Sequence, residues 1–460
     1  MIFKIQNVKT IALSLLFASF LSCGSDNSTS SDDDSSGTDD DDVTVTITEC
    51  ETEDIEEIST DTDIETMRQA MIDFRDSLSD DLLSDAQSCL DDERFYLWHN
   101  TPNSEGTNRD GIIYGDLSDD QLTAFKDILQ LFLSTEGYEK VYEITELAEG
   151  WLEDTDPNLD IWSPDYYSID LFGDPETDGS WGFQLDGHHC AINFLVHGDN
   201  VSMVPAFLGG EPAEETYNGT DYNIFENEKA DAIALYNGMS DDERTTALNG
   251  ETDYELEVGP ASSVGDPDPY IGTYDYSGFN SGLKYSDMSA TTQTNLIALM
   301  KEHVYNLTDT FADVWWADIE TNIDDTYFVL IYDEAPSTTS QFYYRIYNPY
   351  LWAEFNTEDV TGANEDSIED WNHVHSITRI PNNPTTDNEG DYGIFAGIIN
   401  NGAPKTLLEH YALAGHHKLS TIKFDYTVKG LIAKEATHSH SHTHSHGKSV
   451  HVHSLESHKS

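Results

Sequence analysis

The first regular pattern along the chain is helical. Apolar residues three or four apart, as on one face of a helix, occur at Ile64, Met67, Met71, Phe74 and Leu78. A second helix is predicted after Ser118, because Ser118 and Gln121 have the spacing of a capping box. Gly137 is expected to end this second helix, and a further helix is predicted directly after it.

Strand patterns follow the helical ones. Runs rich in aromatic and β-branched residues predict strands at 181–185, 190–197 and 200–209, with a hairpin turn at Gly198 and Asp199. The order then repeats, with predicted helices at 289–306 and 309–320 and predicted strands at 326–333, 341–348, 350–356 and 372–380. Helices followed by antiparallel strands in each half predict an α+β fold, built as one large domain or two intimate halves.

The N-terminus has the pattern of an exported lipoprotein. Lys4 and Lys9 precede an apolar run shorter than the roughly 20 residues that cross a bilayer. Cys23 follows among small residues, so we predict a signal peptide at 1–22 and acylation of Cys23. The Ser- and Asp-rich segment 23–61 is predicted to be a disordered tether. The expected location is the cell envelope, at the outer membrane and surface-exposed, with the lipid anchor as the membrane contact; a plain secretory signal is the alternative.

The C-terminal segment 437–460 alternates His with Ser and Thr. Alternate side chains of an extended chain point the same way, so these imidazoles could share one edge and bind zinc, copper or nickel. Binding there would be weak or pH-dependent, because the segment must be ordered and its imidazoles deprotonated. A disordered, solvated tail is the alternative. The globular domain is expected to span 62–436.

Charge and cysteine content limit the possible partners of the protein and the roles of its cysteines. The net charge of −67, from 88 acidic and 21 basic residues, argues against nucleic acid as a partner, because phosphates would be repelled. The sequence also lacks a Gly-rich phosphate loop, a serine nucleophile elbow and zinc-finger spacing. With Cys23 acylated, Cys50 and Cys89 could form a disulfide. Cys190 would then be a buried free cysteine or, as the alternative, a metal thiolate.

The stretch WGFQLDGHHC places two histidines at a bend. Apolar positions are odd-numbered before Gly187 and even-numbered after Cys190, so the buried face changes parity. A bulge or tight turn at Gly187 would permit this change. Adjacent strand residues point to opposite faces, so we expect either His188 or His189 to bind a metal and the other to support it. A turn that happens to hold two polar residues is the alternative.

A second histidine pair lies in WNHVHSITR. On a strand His373, His375 and Arg379 would point to one side, and both imidazoles could reach one ion. The predicted metal ligands are His188, His189, His373 and His375. His99 is a further predicted ligand, although a structural role is the simpler one for it. Hydrogen-bonded surface histidines are the alternative.

Three residues are predicted to serve catalysis at such a site. Arg379 would bind an anionic group of a substrate, because a guanidinium binds anions and not cations. Asp186 or Glu409 would act as the base.

A series of stretches forms an ordered set over most of 64–415: DDERFYLWHNTP, LSTEGYEKV, FGDPETDGSWGFQLDGHHCAINF, PAFLGGEPAE, YYRIYNPYLWAEFN, WNHVHSITR and LLEHY. As a set they resemble a bacterial family called domain of unknown function 3500. The resemblance implies no particular reaction, and it places these residues in core motifs: Trp98, His99, Gly187, His188, His189, Asn193, Asn372, His373, His375 and Arg379. The chain departs from the family pattern after Arg379, where Ile380 stands instead of an acidic residue.

Three functions fit these patterns. The first is an exported metal-dependent enzyme acting on an anionic small molecule, with three nitrogen ligands and one open coordination position. The second is a surface lipoprotein that binds or passes on metal ions without catalysis. The third is a metal-free module in which Tyr270, Tyr274, Trp315 and Trp316 hold a glycan or peptide, although core packing is the simpler role for them. The sequence decides neither whether the protein is an enzyme nor its oligomeric state.

Overall fold

The computed structural model describes residues 58–381, with gaps at 90–93, 95–96, 103–108, 156–160, 177–178, 250–253, 261–267, 269–275 and 359–367. Predictions for the signal peptide, Cys23, Cys50, the tether, Tyr270, Tyr274, Glu409 and the tail lie outside the described residues. Cys89 is disulfide-bonded, and its pairing with Cys50 stays a prediction. Cys190 is a free, buried cysteine.

The helices are placed largely where the apolar spacing predicts them. In chain order, the described α-helices are α1 (Thr62–Ser77), α2 (Asp80–Ala86), α3 (Asp119–Phe132), α4 (Thr135–Tyr142), α5 (Glu149–Thr155), α6 (Glu226–Gly238), α7 (Asp241–Leu248), α8 (Ala290–Val304) and α9 (Asp309–Thr321). Helix α3 begins with the capping box of Ser118 and Gln121. None of the helices among the described residues is both long and apolar enough to span a bilayer.

The prediction that Gly137 ends the second helix is wrong. Helix α3 ends five residues earlier, and Gly137 lies in the first turn of α4, where its N–H donates to the capping Ser134. Glycine is needed there for space, because a Cβ would lie 2.2 Å from the Asn306 carbonyl oxygen. The glycine therefore marks a close approach between two backbones, and not a helix end.

The strands form one large sheet. The described strands are β1 (Gln87–Ser88), β2 (Ile112–Ile113), β3 (Ser168–Phe172), β4 (Ser180–Gly187), β5 (Cys190–His197), β6 (Asn200–Ser202), β7 (Ala206–Gly210), β8 (Glu214–Tyr217), β9 (Thr220–Asn223), β10 (Leu283–Lys284), β11 (Tyr327–Ile331), β12 (Tyr343–Asn348), β13 (Leu351–Thr357) and β14 (Val374–Arg379). All but the β8–β9 hairpin belong to a 12-stranded sheet with the path β1-β3-β4-β5-β7-β14-β13-β12-β11-β10, while β2 pairs with β3 and β6 with β5.

The α+β prediction is confirmed, and both halves of the chain contribute to the same sheet. Strand β7 from the first half pairs antiparallel with β14 from the second, with His375 opposite Gly209. The predicted hairpin also forms, because His197 pairs with Asn200 around Gly198 and Asp199. The β1–β3 pair is parallel, in contrast to its antiparallel neighbours.

The two sides of the sheet are covered differently. We call the side that carries Ala353, Phe355 and Val374 the helix-facing side, since these residues share a buried cluster with residues of α1, α3, α6, α8 and α9. Trp315 and Trp316 belong to that cluster, so they pack in the core. The opposite side, which we call the loop-facing side, carries Glu354, His375 and Arg379 in alternation with those residues.

Candidate metal centre

The two adjacent histidines form the turn between β4 and β5. Gly187 pairs with Cys190, so His188 and His189 are the two residues of a tight hairpin. His189 has φ 58°, a left-handed conformation that non-glycine residues adopt at a cost of about 1–2 kcal/mol. A Cβ at Gly187 would lie 2.1 Å from the Tyr167 ring. The predicted special backbone geometry is therefore present at this bend.

Of the bulge and the tight turn that the change of parity allowed, the structure has the tight turn, because a two-residue turn by itself pairs odd positions on β4 with even positions on β5. One detail of the sequence interpretation is corrected. The two histidines do not point to opposite faces, since they leave the strand geometry. Their rings are stacked, with centroids 3.9 Å apart and planes 30° apart.

His189 meets both histidines of the second pair. Its Nε2 lies 3.1 Å from Nε2 of His375 and 3.3 Å from Nε2 of His373. His375 is on β14, and His373 directly precedes that strand. Space for the rings comes from Gly209 on β7, where a Cβ would lie 2.9 Å from His189 Cδ2 and 3.1 Å from His375 Cδ2. Three imidazole nitrogens from distant segments thus converge.

A carboxylate and the fourth histidine complete the cluster. One donor atom each from His188, His189 and Glu211 lies within 4.8 Å of the others, as do the donors of the trio formed by His189, His373 and His375. Glu211 directly follows β7, and its Oε2 is 3.9 Å from His373 Nε2. The two sets share His189, and each of them could hold a metal ion.

Two further carboxylates hold the outer nitrogens of the rings. Glu149 Oε2 is 2.7 Å from His188 Nδ1, and Glu358 Oε1 is 3.0 Å from His375 Nδ1. A carboxylate behind an imidazole fixes the proton on the near nitrogen and leaves the far nitrogen free to bind a metal. Glu149 begins α5 directly after the π-helical segment Glu143–Ala148, and such segments often occur at functional sites.

The surroundings of His189 favour its neutral form. Burial, together with the neighbouring rings of His188, His375 and His373, holds the pKa of His189 well below its usual range. Burial alone would raise the pKa of Glu358, but its contacts with His375 and Asn356 lower that pKa to about 2, so this carboxylate is ionised and can hold the Nδ1 proton of His375. Neutral rings with unprotonated nitrogens facing one another are the state that a metal ion requires.

The spacing of the nitrogens fits a shared ion. Two imidazole nitrogens bound to one zinc ion at about 2.0–2.1 Å in tetrahedral geometry lie about 3.3–3.4 Å apart. The separations of 3.1 and 3.3 Å from His189 Nε2 are close to that value. A single proton on His189 could satisfy only one of these contacts, whereas an ion satisfies both. Nitrogen ligands with one carboxylate suit zinc, copper and nickel, which leaves the identity of the metal open.

His99 and Asp186 lie together beside the bend. Neither donor set found among the described residues includes them. The Asp186 carboxylate accepts from the His99 N–H at 3.2 Å and faces Arg109 Nε at 3.3 Å. Burial raises the pKa of Asp186 to about 7, against the lowering effect of Arg109, and burial with Arg109 lowers the pKa of His99 to about 3. The role of Asp186 as a base and of His99 as a ligand stay predictions.

Arg379 is wholly buried and engaged in an ion pair. Its Nη1 is 2.8 Å from Asp268 Oδ2, and both side chains have no exposed surface. The same carboxylate oxygen accepts from Trp98 Nε1, and the guanidinium lies 5.2 Å from the Trp98 ring centroid. These contacts hold the guanidinium within the fold, so they favour positioning over the predicted role in binding an anionic substrate, which stays untested.

Sequence reasoning missed the carboxylates Glu149, Glu211 and Glu358. A single glutamate carries no signal among 88 acidic residues. Glu211 had the best available signal, because it follows Gly209 and Gly210 at the end of a predicted strand. Glu149 could not be found, since only the tertiary fold brings it to His188.

Comparison with known proteins places the chain in a family. Residues 60–393 match the family described as "Protein of unknown function (DUF3500)". The chain therefore belongs to this uncharacterised family. No curated protein matches the chain. No solved structure matches it either.

Proposed function

We propose that the protein is an exported, lipid-anchored metalloenzyme whose histidine centre holds one divalent transition ion. The convergence of three Nε2 atoms on one point carries this proposal, because His189 Nε2 lies 3.1 and 3.3 Å from its two counterparts. Glu149 and Glu358 behind His188 and His375 give the same support, since carboxylates in this position orient metal-bound imidazoles.

An enzyme is favoured because the centre borders a cleft. A cavity of about 700 Å³ is lined by His375 and Glu358 among other residues, a volume typical of small-molecule sites. A bound divalent ion would supply Lewis-acid chemistry, polarising a substrate oxygen or lowering the pKa of a water molecule. His375 would bind the ion on one side and face the cleft on the other.

Metal handling without catalysis is the second candidate. It is favoured by the alternating histidines of 437–460, which could collect ions at the cell surface. In this case the folded centre would store or pass on an ion taken up by the tail. Deleting 437–460 would then sharply lower the metal bound per chain, whereas a resident enzyme cofactor would remain.

Elemental analysis of the purified native protein tests both candidates. We expect about one transition ion per chain to survive removal of 437–460, because the ion sits among buried side chains. The His373→Ala/His375→Ala double variant should lose this ion. His197→Gln is the matched control, since His197 lies at the far end of β5 and contacts Ser180 Oγ at 2.6 Å. Equal metal content in the double variant and the control would refute the metal centre.

A further inference from the structure

The cleft beside the metal centre has a definite position in the fold. It lies between residues of β7, β13 and β14 and the segment 254–260. Its volume is about 700 Å³, and its lining includes Phe207, Tyr254, Glu255, Gln341, Glu358 and His375. Segment 254–260 belongs to a Gly-, Pro- and Tyr-rich stretch, and here it forms one wall of a cavity.

Buried side chains of the sheet hold this wall in place. Asn356 Nδ2 donates to the Tyr254 carbonyl at 2.8 Å. The Glu354 carboxylate accepts from Glu257 N and Val258 N at 2.9 and 3.1 Å.

Arg379 holds the next residue of the wall. Its Nη2 donates to the Gly259 carbonyl at 2.9 Å. Asn356, Glu354 and Arg379 are all 0% exposed. Burying polar groups is costly unless they form hydrogen bonds. Because all three side chains bond the backbone of segment 254–260, we infer that this wall of the cleft is already ordered before a ligand binds.

The floor of the cleft combines an apolar ring with a fixed carboxylate. The Phe207 ring packs against His375, with centroids 5.1 Å apart. Glu358 is held by His375 Nδ1 and by Asn356 Nδ2, each at 3.0 Å. Its side chain is 35% exposed, so it presents an oriented acceptor to the cleft.

We infer that this cleft binds a neutral polyhydroxylated ligand of the saccharide class. Among the described residues that line it there is neither Lys nor Arg, so an anion would find no Lys or Arg partner there. A carboxylate accepts from hydroxyl groups, and amides and hydroxyls both accept and donate. The half-buried side chains of Tyr254 and Leu256 offer apolar surface to a sugar ring.

An organic cation fits this lining less well than a saccharide. Glu358 already accepts hydrogen bonds from His375 Nδ1 and Asn356 Nδ2, each at 3.0 Å. Glu255, the other acidic residue of the lining, is exposed. A cationic ligand would therefore find no buried, uncompensated carboxylate.

Binding of the saccharide depends on the cleft alone. That the saccharide is also the substrate of the metal centre rests on the proposed function. The two statements can be separated, because the metal content and the ligand affinity are measured independently on the same samples.

The test uses the purified full-length native protein, with its metal content measured, and defined probes. Cellobiose, maltose and diacetylchitobiose represent the saccharides, citrate the anions and spermidine the cations. We expect at least one disaccharide to bind in calorimetry and ligand-detected NMR, more tightly than citrate or spermidine. Gln341→Ala should weaken that binding about five- to tenfold, the loss of one good hydrogen bond. Gln130→Ala, at an exposed position of α3, is the matched control.

Each outcome bears on one statement. If no disaccharide binds, if citrate or spermidine binds more tightly, or if Gln341→Ala binds as the control does, the saccharide inference is overturned. Full metal content in those same samples would leave the proposed function intact. Conversely, saccharide binding by a protein that carries no transition ion supports the cleft and refutes the metal centre.

Discussion

Both sides of β13 and β14 are buried, but the residues that can carry a charge lie on only one of them. On the helix-facing side, Ala353, Phe355 and Val374 are 0% exposed and wholly apolar. On the loop-facing side, Glu354 and Arg379 are also 0% exposed, yet both can carry a charge. Burial raises the pKa of Glu354 to about 7, against the lowering effect of its hydrogen bonds and of Arg345.

This difference between the two sides distinguishes residues that stabilise the fold from residues that organise a site, within one pair of strands. Burying apolar area stabilises a fold by about 25 cal/mol per Å², whereas a buried ion pair often contributes little net stability. A sheet selected only for stability would be apolar on both sides. The loop-facing side therefore reflects a demand for organised polar groups at the centre and the cleft.

The largest expected effect concerns the ion pair of Arg379 and Asp268. Arg379→Met should lower the free energy of unfolding by about 3–5 kcal/mol, because it leaves Asp268 buried without its partner. The double variant Arg379→Met/Asp268→Leu should recover part of that loss. Urea denaturation of both proteins measures the difference.

Phe355→Ala is the matched change on the opposite side. It should also cost about 3–5 kcal/mol, since Phe355 stacks on Tyr344 with centroids 5.1 Å apart. No polar partner exists whose removal would restore stability there. If the Arg379→Met/Asp268→Leu protein were no more stable than Arg379→Met, the proposed contrast between the two sides would be lost.

The next effect concerns the carboxylates behind the rings. Glu149→Gln should weaken metal affinity about 10- to 100-fold, because it removes the charge that orients His188. Competition with a chromophoric chelator measures this change. Glu302→Gln is the control, since Glu302 on α8 interacts with Glu228 and Lys140 and not with the centre. Equal affinities would show that Glu149 has a structural role only.

A smaller effect is a pH dependence on the helix-facing side. His303 on α8 contacts Tyr344 Oη at 2.9 Å, and burial with Lys140 lowers its pKa to about 3. Between pH 6.5 and 3 the unfolded chain binds a proton at this residue and the folded chain does not, so stability falls as the pH falls. At pH 5 the loss is about 2 kcal/mol from this group.

The measurement compares wild type with His303→Gln at pH 7.5 and pH 5, with a chelator present so that metal binding does not contribute. The wild type should lose about 2 kcal/mol more than the variant on acidification. An identical loss in both proteins would mean that His303 is not the group responsible.

The smallest effect tests the backbone of the turn. His189→Gly and His189→Ala both remove a ligand, but glycine adopts φ 58° without strain. The glycine variant should be about 1 kcal/mol more stable than the alanine variant. Denaturation in the presence of chelator measures this difference. Equal stabilities would contradict the assignment of strain to this residue.

Much of the fold follows from local patterns. Helix α3 was predictable because Ser118 and Gln121 cap it and its apolar residues share one face. The order of strands in the sheet was not, since the pairing of β7 with β14 joins segments far apart in the sequence. Gly137 misled the prediction because tight backbone packing and helix termination both select glycine.

The centre was predictable in part for the same reason. His373 and His375 stood out through strand alternation, and His188 and His189 through the change of parity at the bend. Their outer partners Glu149 and Glu358 come from other elements and have no local signature. Patterns within one helix or strand were therefore predictable from the sequence, and contacts between different elements were not.

The position of the trio along the chain has a consequence for assembly. His189 and His375 are 186 residues apart, and their rings meet only once β7 and β14 have paired. Long-range pairing of this kind forms late in folding. A newly synthesised chain would consequently offer no complete coordination sphere while it is still unfolded. Metal capture would be postponed until the fold has formed, which would protect the unfolded polypeptide from premature ligation.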